Sequence, residues 1–372
     1  MITRRAALAT GVATITAGIV DRAGAATTPG VTATTVKIGN TSPYSGPASS
    51  YGSIGRTHAA VFKMINDQGG IANHKIDFIS LDDSYSPPKT VEDVRRLVEQ
   101  DGVDFLYQDI GTPCNTAIVQ YTTRREIPQL FVGSGASKWS DYKKYPWTMG
   151  WQPSYRTEAQ IYTKYMLANV KNPKLGILYQ NDDFGKDYPD GVRDSLGSDW
   201  DKIVTKAASY ETTDPTIDSQ IEALQASGAN VLLVAAIPKF AAQAIRKVHS
   251  LAWKPTFFLT NVSISVGNVM EPAGPENGTG ILTTGYLKDP TDPEFKDDPG
   301  MKQWRADITK YMPGADLKDQ FIVFGYGVSL TMVQVLRQCS GDFSRPNVMK
   351  QAESLHDFGL PVLLPGIKIN TS

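Results

Sequence analysis

The sequence predicts an α/β protein made of two doubly wound parallel-sheet units. Three observations carry that prediction. Strand and helix patterns alternate from residue 35 to 132. The rhythm breaks over Pro146-Trp147-Thr148-Met149-Gly150-Trp151-Gln152 and then resumes from 157 to 284. A chain of 372 residues also exceeds what one core usually holds, so two domains are expected.

In the first unit, residues 35–39 alternate like a strand and run into the turn-rich Ser42-Pro43-Tyr44-Ser45-Gly46-Pro47. Residues 56–66 set Ala59, Ala60, Phe62, Met64 and Ile65 on the broad apolar face of a helix, which Gly69-Gly70 closes. A strand at 76–81 ends on Asp82-Asp83, and a helix at 90–100 places Val91, Val94, Leu97 and Val98 on one side. Adjacent carboxylates at a strand end point to opposite faces, so the Asp pair serves turns and caps rather than acid–base chemistry. Residues 105–107 are a third strand, followed by the small-residue turn Gly111-Thr112-Pro113-Cys114-Asn115-Thr116 and a helix to about 124. The fourth strand, 127–132, stops abruptly at Gly133-Ser134-Gly135-Ala136-Ser137.

That last turn is the strongest site candidate on sequence grounds. Open α/β sheets bind ligands beyond the carboxyl ends of their strands. Glycines and hydroxyls there expose N–H donors with little steric cover, which suits an oxygen-rich anion such as a carboxylate. The plainer alternative is a strand-to-helix turn with Ser137 or Ser140 as the cap.

The second unit runs through a helix (157–168), a strand (175–179) and the loop Asn181-Asp182-Asp183-Phe184-Gly185. A helix (187–195), a strand (203–207), a helix (216–226), a strand (231–235) and a helix (240–250) follow, then strands at 257–259 and 280–284. Helices at 301–311, 321–336 and 346–354 are too few for a third domain and are expected to cover one of the two sheets. Residues 366–369 read as a final strand with nothing after it to pair with.

Composition narrows the function. With 37 basic and 38 acidic side chains the net charge is −1, no bias toward nucleic acid. The basic start Met1-Ile2-Thr3-Arg4-Arg5, the apolar run 6–20 and Ala23-Gly24-Ala25 read as a secretory signal peptide, residues 1–25, with a twin-arginine-like element. Its removal takes away Arg4, Arg5, Arg22 and Asp21, leaving −3. Cys114 and Cys339 belong to no Cys-x-x-Cys pair and are expected to be free. His58, His74, His249 and His356 are scattered without ligand spacing, so no metal site is expected. Gly133-Ser134-Gly135 has neither the third glycine of a dinucleotide fingerprint nor the Gly-x-Ser-x-Gly of a nucleophile elbow. No cofactor and no catalytic residue are assigned.

Four pieces in order resemble the leucine/isoleucine/valine-binding proteins, the type I solute-binding components of ABC importers. They are Ser45-Gly46-Pro47-Ala48-Ser49-Ser50-Tyr51-Gly52, Gly69-Gly70-Ile71, Asp82-Asp83 with Pro87, and Asp183-Phe184-Gly185. The resemblance spans roughly residues 34–372. It implies the type I periplasmic binding protein fold: two α/β lobes joined by three crossovers that close on a ligand. The crossovers then fall near 149–153, 284–288 and 354–359. Lobe 1 comprises 34–152 with 286–355, and lobe 2 comprises 153–285 with 356–372, its last part appearing incomplete. The resemblance further implies that Thr112 and the turn Ser134, Gly135, Ala136 and Ser137 hold a ligand carboxylate, with the inward-facing serine left open. Tyr51, Phe184 and Phe321 match wall positions.

One departure from the family pattern bears on the ligand. Amino-acid binders hold the ammonium with an acid on the second lobe, and Asn261 stands at that position here. A family tyrosine is replaced near Ile237-Pro238, and Tyr85 stands where some members have a cysteine. Asp109 and Asp183 are the nearest substitutes for the missing charge, though neither is at the matching site. The expected ligand is therefore a small carboxylate, an aromatic or aliphatic organic acid or an apolar amino acid, with Trp139, Trp151 and Phe184 available for an apolar body. The expected setting is the periplasm, with an inner-membrane ABC permease as partner, no nucleic acid, and a monomeric state. A secreted α/β hydrolase using the same cleft and a ligand-sensing module are the alternatives; the first lacks a nucleophile–base pair.

Overall fold

The structure is a computed structural model and describes residues 28–371. The expected signal peptide lies outside the described residues.

The first sheet takes β1 (Thr35–Ser42), β2 (Lys75–Asp82), β3 (Phe105–Tyr107), β4 (Gln129–Val132) and β5 (Thr148–Gly150) in the order β2-β1-β3-β4-β5. Every pairing is parallel. Parallel neighbours need crossover connections, and these are α1 (Gly52–Asp67), α2 (Pro87–Glu99) and α3 (Thr112–Arg124). Buried along their whole length, β3 is entirely apolar or aromatic and β4 is so from Leu130 to Val132, with no alternation. The three-residue edge strand β5 falls inside the stretch where the sequence rhythm breaks, and is too short to show a period.

The chain then crosses to the second unit and forms α4 (Tyr155–Asn169), β6 (Leu175–Gln180) and α5 (Asp183–Leu196). The short α6 (Trp200–Ile203), β7 (Val204–Tyr210), α7 (Asp218–Ala226), β8 (Val231–Ala235), α8 (Pro238–Ser250) and β9 (Thr256–Leu259) follow. The sheet order is β7-β6-β8-β9, again all parallel. Residues 280–284 add only a single bridge, Leu282 to Phe258, instead of the full strand expected.

After the brief α9 (Glu271–Ala273), the late helices α10 (Pro299–Tyr311), α11 (Gln320–Gln338) and α12 (Arg345–Ala352) follow. The long α11 lies along α1, with Gly325 against Thr57 and Ile54 and His58 Nδ1 2.8 Å from Ser329 Oγ, so these helices cover the first sheet.

The C-terminal residues depart from expectation. Val362 and Leu364 run antiparallel to the returning segment at Tyr286 and Lys288, through Lys288 N–H to Val362 O and Leu364 N–H to Tyr286 O. The Leu364-Pro365-Gly366-Ile367 turn, with Gly366 at φ +84°, then reverses the chain. Ile369 pairs with Phe358, and the Thr371 N–H donates to Leu355 O beside α12. Residues 356–371 therefore form no ladder with the second sheet. They pack against the lobe 1 helices, where a Cβ on Gly300 of α10 would lie 2.3 Å from Pro361 O.

Both sheets reverse strand order beside their first strand, between β1 and β3 and between β6 and β8. The crevices at these switch points open toward each other.

Candidate functional site

Between the two sheets lies a cleft with about 750 Å³ of space between its walls, opening included. On the first-lobe side it is walled by Tyr51 and Ile54 at the start of α1, Tyr85 after β2, Ile110, Gly111 and Thr112 after β3, and Gly133 after β4. On the other side stand Phe184, Ile237, Asn261, Val262 and Ile264, each just past the end of β6, β8 or β9. Gln152, Tyr155, and Thr284 to Leu287 come from the two crossings, and Gln320, Phe321 and Phe324 from α11. Among the described residues that wall it, none has a charged side chain.

The polar floor is the turn after β3. Gly111 sits at φ +105°, and a Cβ there would lie 2.5 Å from the Tyr85 ring, so only glycine admits the turn. Its N–H donates to Gly133 O, tying the β3 and β4 turns together. Beyond it α3 begins, and its first N–H groups, those of Thr112 and Cys114, have no carbonyl one turn back. Thr112 of this terminus lines the cleft, and a helix N-terminus favours an anion. Two polar atoms of the walls are buried without a partner: Gln152 Nε2, a donor, and Gln320 Oε1, an acceptor.

The expected cradle at 134–137 is placed elsewhere. Its first hydroxyl, Ser134 Oγ, is buried and engaged by Thr112 Oγ1 at 2.6 Å, Trp139 Nε1 at 2.9 Å and Ala136 N–H at 3.1 Å. The Gly135 carbonyl accepts from Tyr155 N–H, and Ala136 is buried. Ser137 reaches across the lobes: its N–H and its hydroxyl donate to the two oxygens of Asp187 on α5, at 2.6 and 2.7 Å. Strand β4 kinks at Phe131, φ +52°, and shifts register against β5, and the chain beyond Gly133 heads toward α5. Of this stretch only Gly133 faces the cleft. The other expected site residues, Tyr51, Thr112, Phe184, Asn261 and Phe321, do share it.

Direct bonds join the two lobes across the cleft. Tyr51 Oη donates to Val262 O at 2.9 Å, while its ring meets Phe321 edge-on at 5.0 Å. Lys138 pairs with Asp183 at 2.7 Å on the rim. Phe184 is not in a loop: Asp182 accepts the Gly185 N–H, caps α5 and puts Phe184 in its first turn, 4.8 Å from the Tyr155 ring. Trp139 and Trp151 do not reach the cleft. Trp151 packs on Phe324 and Tyr286 at the crossing and donates Nε1 to Thr331.

An acid that the sequence reading passed over stands behind the wall without lining it. Neither Asp109, which is buried and accepts from Thr41, nor Asp183, on the rim, walls the cleft. Glu158 of α4 is 2% exposed, directly behind Asn261. It accepts the Asn261 N–H at 2.8 Å, the Asn261 side-chain N–H at 2.5 Å, the Tyr188 hydroxyl at 2.9 Å and the Tyr162 hydroxyl. Burial raises its pKa to about 7, against the pull of those donors. It lies on α4 among the buried Tyr155, Ala159, Tyr162, Thr163 and Met166, and as an acid in the first turn of a helix it carried no signal of its own.

The fold and cleft define a two-lobed binding protein, and a family model described as periplasmic binding protein matches residues 35–369. The chain belongs to that family. The leucine-specific-binding protein of Salmonella typhimurium is 26% identical over 186 residues, 49% of this chain and 48% of that one. The chain thus spans about half the length of the curated relatives it matches. The substrate-binding periplasmic protein from Ralstonia solanacearum shares the fold at TM-score 0.79 and 20% identity, over 90% of this chain and 93% of the other. A fatty acid ABC transporter substrate-binding protein from Thermomonospora curvata gives 0.77 and 21%, over 90% and 85%.

Proposed function

We propose that this protein is the solute-binding component of an ABC importer, working in the periplasm and delivering a small organic acid to an inner-membrane permease. The ligand is a carboxylate with an apolar body and no ammonium: an aromatic acid, a keto acid or a comparable aliphatic acid. Binding stabilises the closed arrangement of the lobes, without catalysis.

The observation that carries this reading is the wall of the cleft, which is aromatic and aliphatic, with neutral polar groups and no acid. A buried ammonium without a carboxylate partner is strongly disfavoured. A carboxylate fits the α3 terminus, Thr112 and the unpaired Gln152 Nε2. The name of the Thermomonospora curvata protein, a fatty acid binder, is in keeping with such a ligand. That of the Salmonella protein favours leucine as the second reading.

A thermal-shift panel of the mature protein separates the two. Benzoate, 4-hydroxybenzoate, 4-methyl-2-oxopentanoate and octanoate are set against leucine and phenylalanine. A ligand at about 100 times its Kd stabilises by about 2.7 kcal/mol, which a melt resolves. Shifts with the amino acids and none with the acids would refute the proposal.

A further inference from the structure

Asn261 forms part of the second-lobe wall, and its amide is not free to turn. Both of its N–H groups, backbone and side chain, are held by Glu158 from behind, at 2.8 and 2.5 Å. The Asn261 backbone N–H and the Tyr162 and Tyr188 hydroxyls already converge on that carboxyl, and the side-chain nitrogen faces it with them. The carbonyl end of the amide is then turned away from Glu158. Asn261 Oδ1 makes no hydrogen bond among the described residues. A second acceptor on the walls is in the same condition: Gln320 is 7% exposed, its Oε1 has no partner, and its Nε2 points to Lys288 O at 3.5 Å. Gln320 Oε1 is buried, and Asn261 Oδ1 becomes so once a ligand covers it; acceptors left unpaired in that way penalise any ligand that brings only apolar groups to them.

We propose that Glu158 is a positioning residue that fixes the Asn261 carbonyl toward the cleft, so that the preferred ligand carries a neutral hydrogen-bond donor, a hydroxyl, in addition to its carboxylate. This rests on the carboxylate reading above and narrows it to hydroxylated acids. The hydroxyl donates to Asn261 Oδ1 or Gln320 Oε1 and restores the pairing that an unsubstituted acid leaves broken.

The test uses matched pairs in isothermal titration: benzoate against 3- and 4-hydroxybenzoate, and 4-methylpentanoate against 2-hydroxy-4-methylpentanoate. In the wild-type protein the hydroxylated member of at least one pair binds about 10-fold tighter or more. In Glu158→Gln the new amide donates as well as accepts, Asn261 can turn over, and the preference falls to within about 2-fold. Asn261→Leu removes the acceptor while leaving Glu158 in place, and lowers the same ratio even if Glu158→Gln folds poorly. The readout is a ratio of affinities, which a general loss of stability does not move. Equal binding within every pair overturns the inference while leaving the carboxylate reading intact. A preference that persists in both variants overturns the role of these two residues. Binding of none of the acids, with leucine bound, refutes the carboxylate reading itself.

Discussion

Ser137 donates both its backbone N–H and its hydroxyl to Asp187, at 2.6 and 2.7 Å, and this pair joins the end of the first sheet to a helix of the second lobe. Asp187 is 7% exposed, so the bonds are shielded from water. Bonds to an ionised acceptor are about twice as strong as neutral ones. Under the proposed closure of the lobes on a ligand, their energy belongs to the closed state and adds to ligand affinity. Asp187→Asn is expected to weaken binding of the best acid by about 5- to 30-fold, mostly through faster release. Stopped-flow dissociation against titration calorimetry checks it; an unchanged off-rate would show that the pair is not part of closure.

Tyr51 makes the companion bond, from its hydroxyl to Val262 O at 2.9 Å. Its ring has a separate task, packing edge-on to Phe321 at the cleft wall. Tyr51→Phe keeps the ring and removes one neutral bond, so affinity should fall by about 1 kcal/mol, roughly 5-fold. Tyr51→Ala loses the wall as well and should cost several times more. If the two variants bind alike, the ring is not in contact with ligand.

How far these residues could be read from sequence depended on how local their causes are. The alternation of strand and helix is local, so both sheets and their order of appearance were legible. Gly111-Thr112 at the end of β3 was legible for the same reason, since a glycine before a helix start marks a switch-point turn. The fate of Ser134 and Ser137 was not. Their hydroxyls are claimed by Thr112, Trp139 and Asp187, up to 50 residues away along the chain, and no pattern in the stretch itself records that. Phe184 was misplaced into a loop because Asp182 and Asp183 both suit a turn; the cap on Gly185 N–H decides for helix. Glu158 was invisible for a different reason. An acid in the first turn of a helix ordinarily complements the helix terminus, and only the tertiary fold turns this one inward against Asn261.

Four buried carboxyls make stability depend on pH in a defined direction. Burial pushes Asp104 up to about 8, Asp109 and Glu158 to about 7, and Asp182 to about 6. In the unfolded chain such groups titrate near about 4. The folded protein therefore holds more protons than the unfolded one between those limits. Stability is fully present below the unfolded values and is lost as pH rises through about 6 to 8. The melting temperature should accordingly fall steadily from pH 5 to pH 8.5. Asp104 is the most informative of the four: neither of its carboxyl oxygens has a hydrogen-bond partner, and Arg345 donates instead to its backbone oxygen at 2.6 Å, standing 3.7 Å from the carboxylate. Asp104→Asn removes one ionisation from the buried set while preserving shape. It should flatten the decline above pH 7 and leave the melt at pH 5 little changed. A melting temperature that rises with pH, or a variant whose decline is as steep as the parent's, would contradict the assignment.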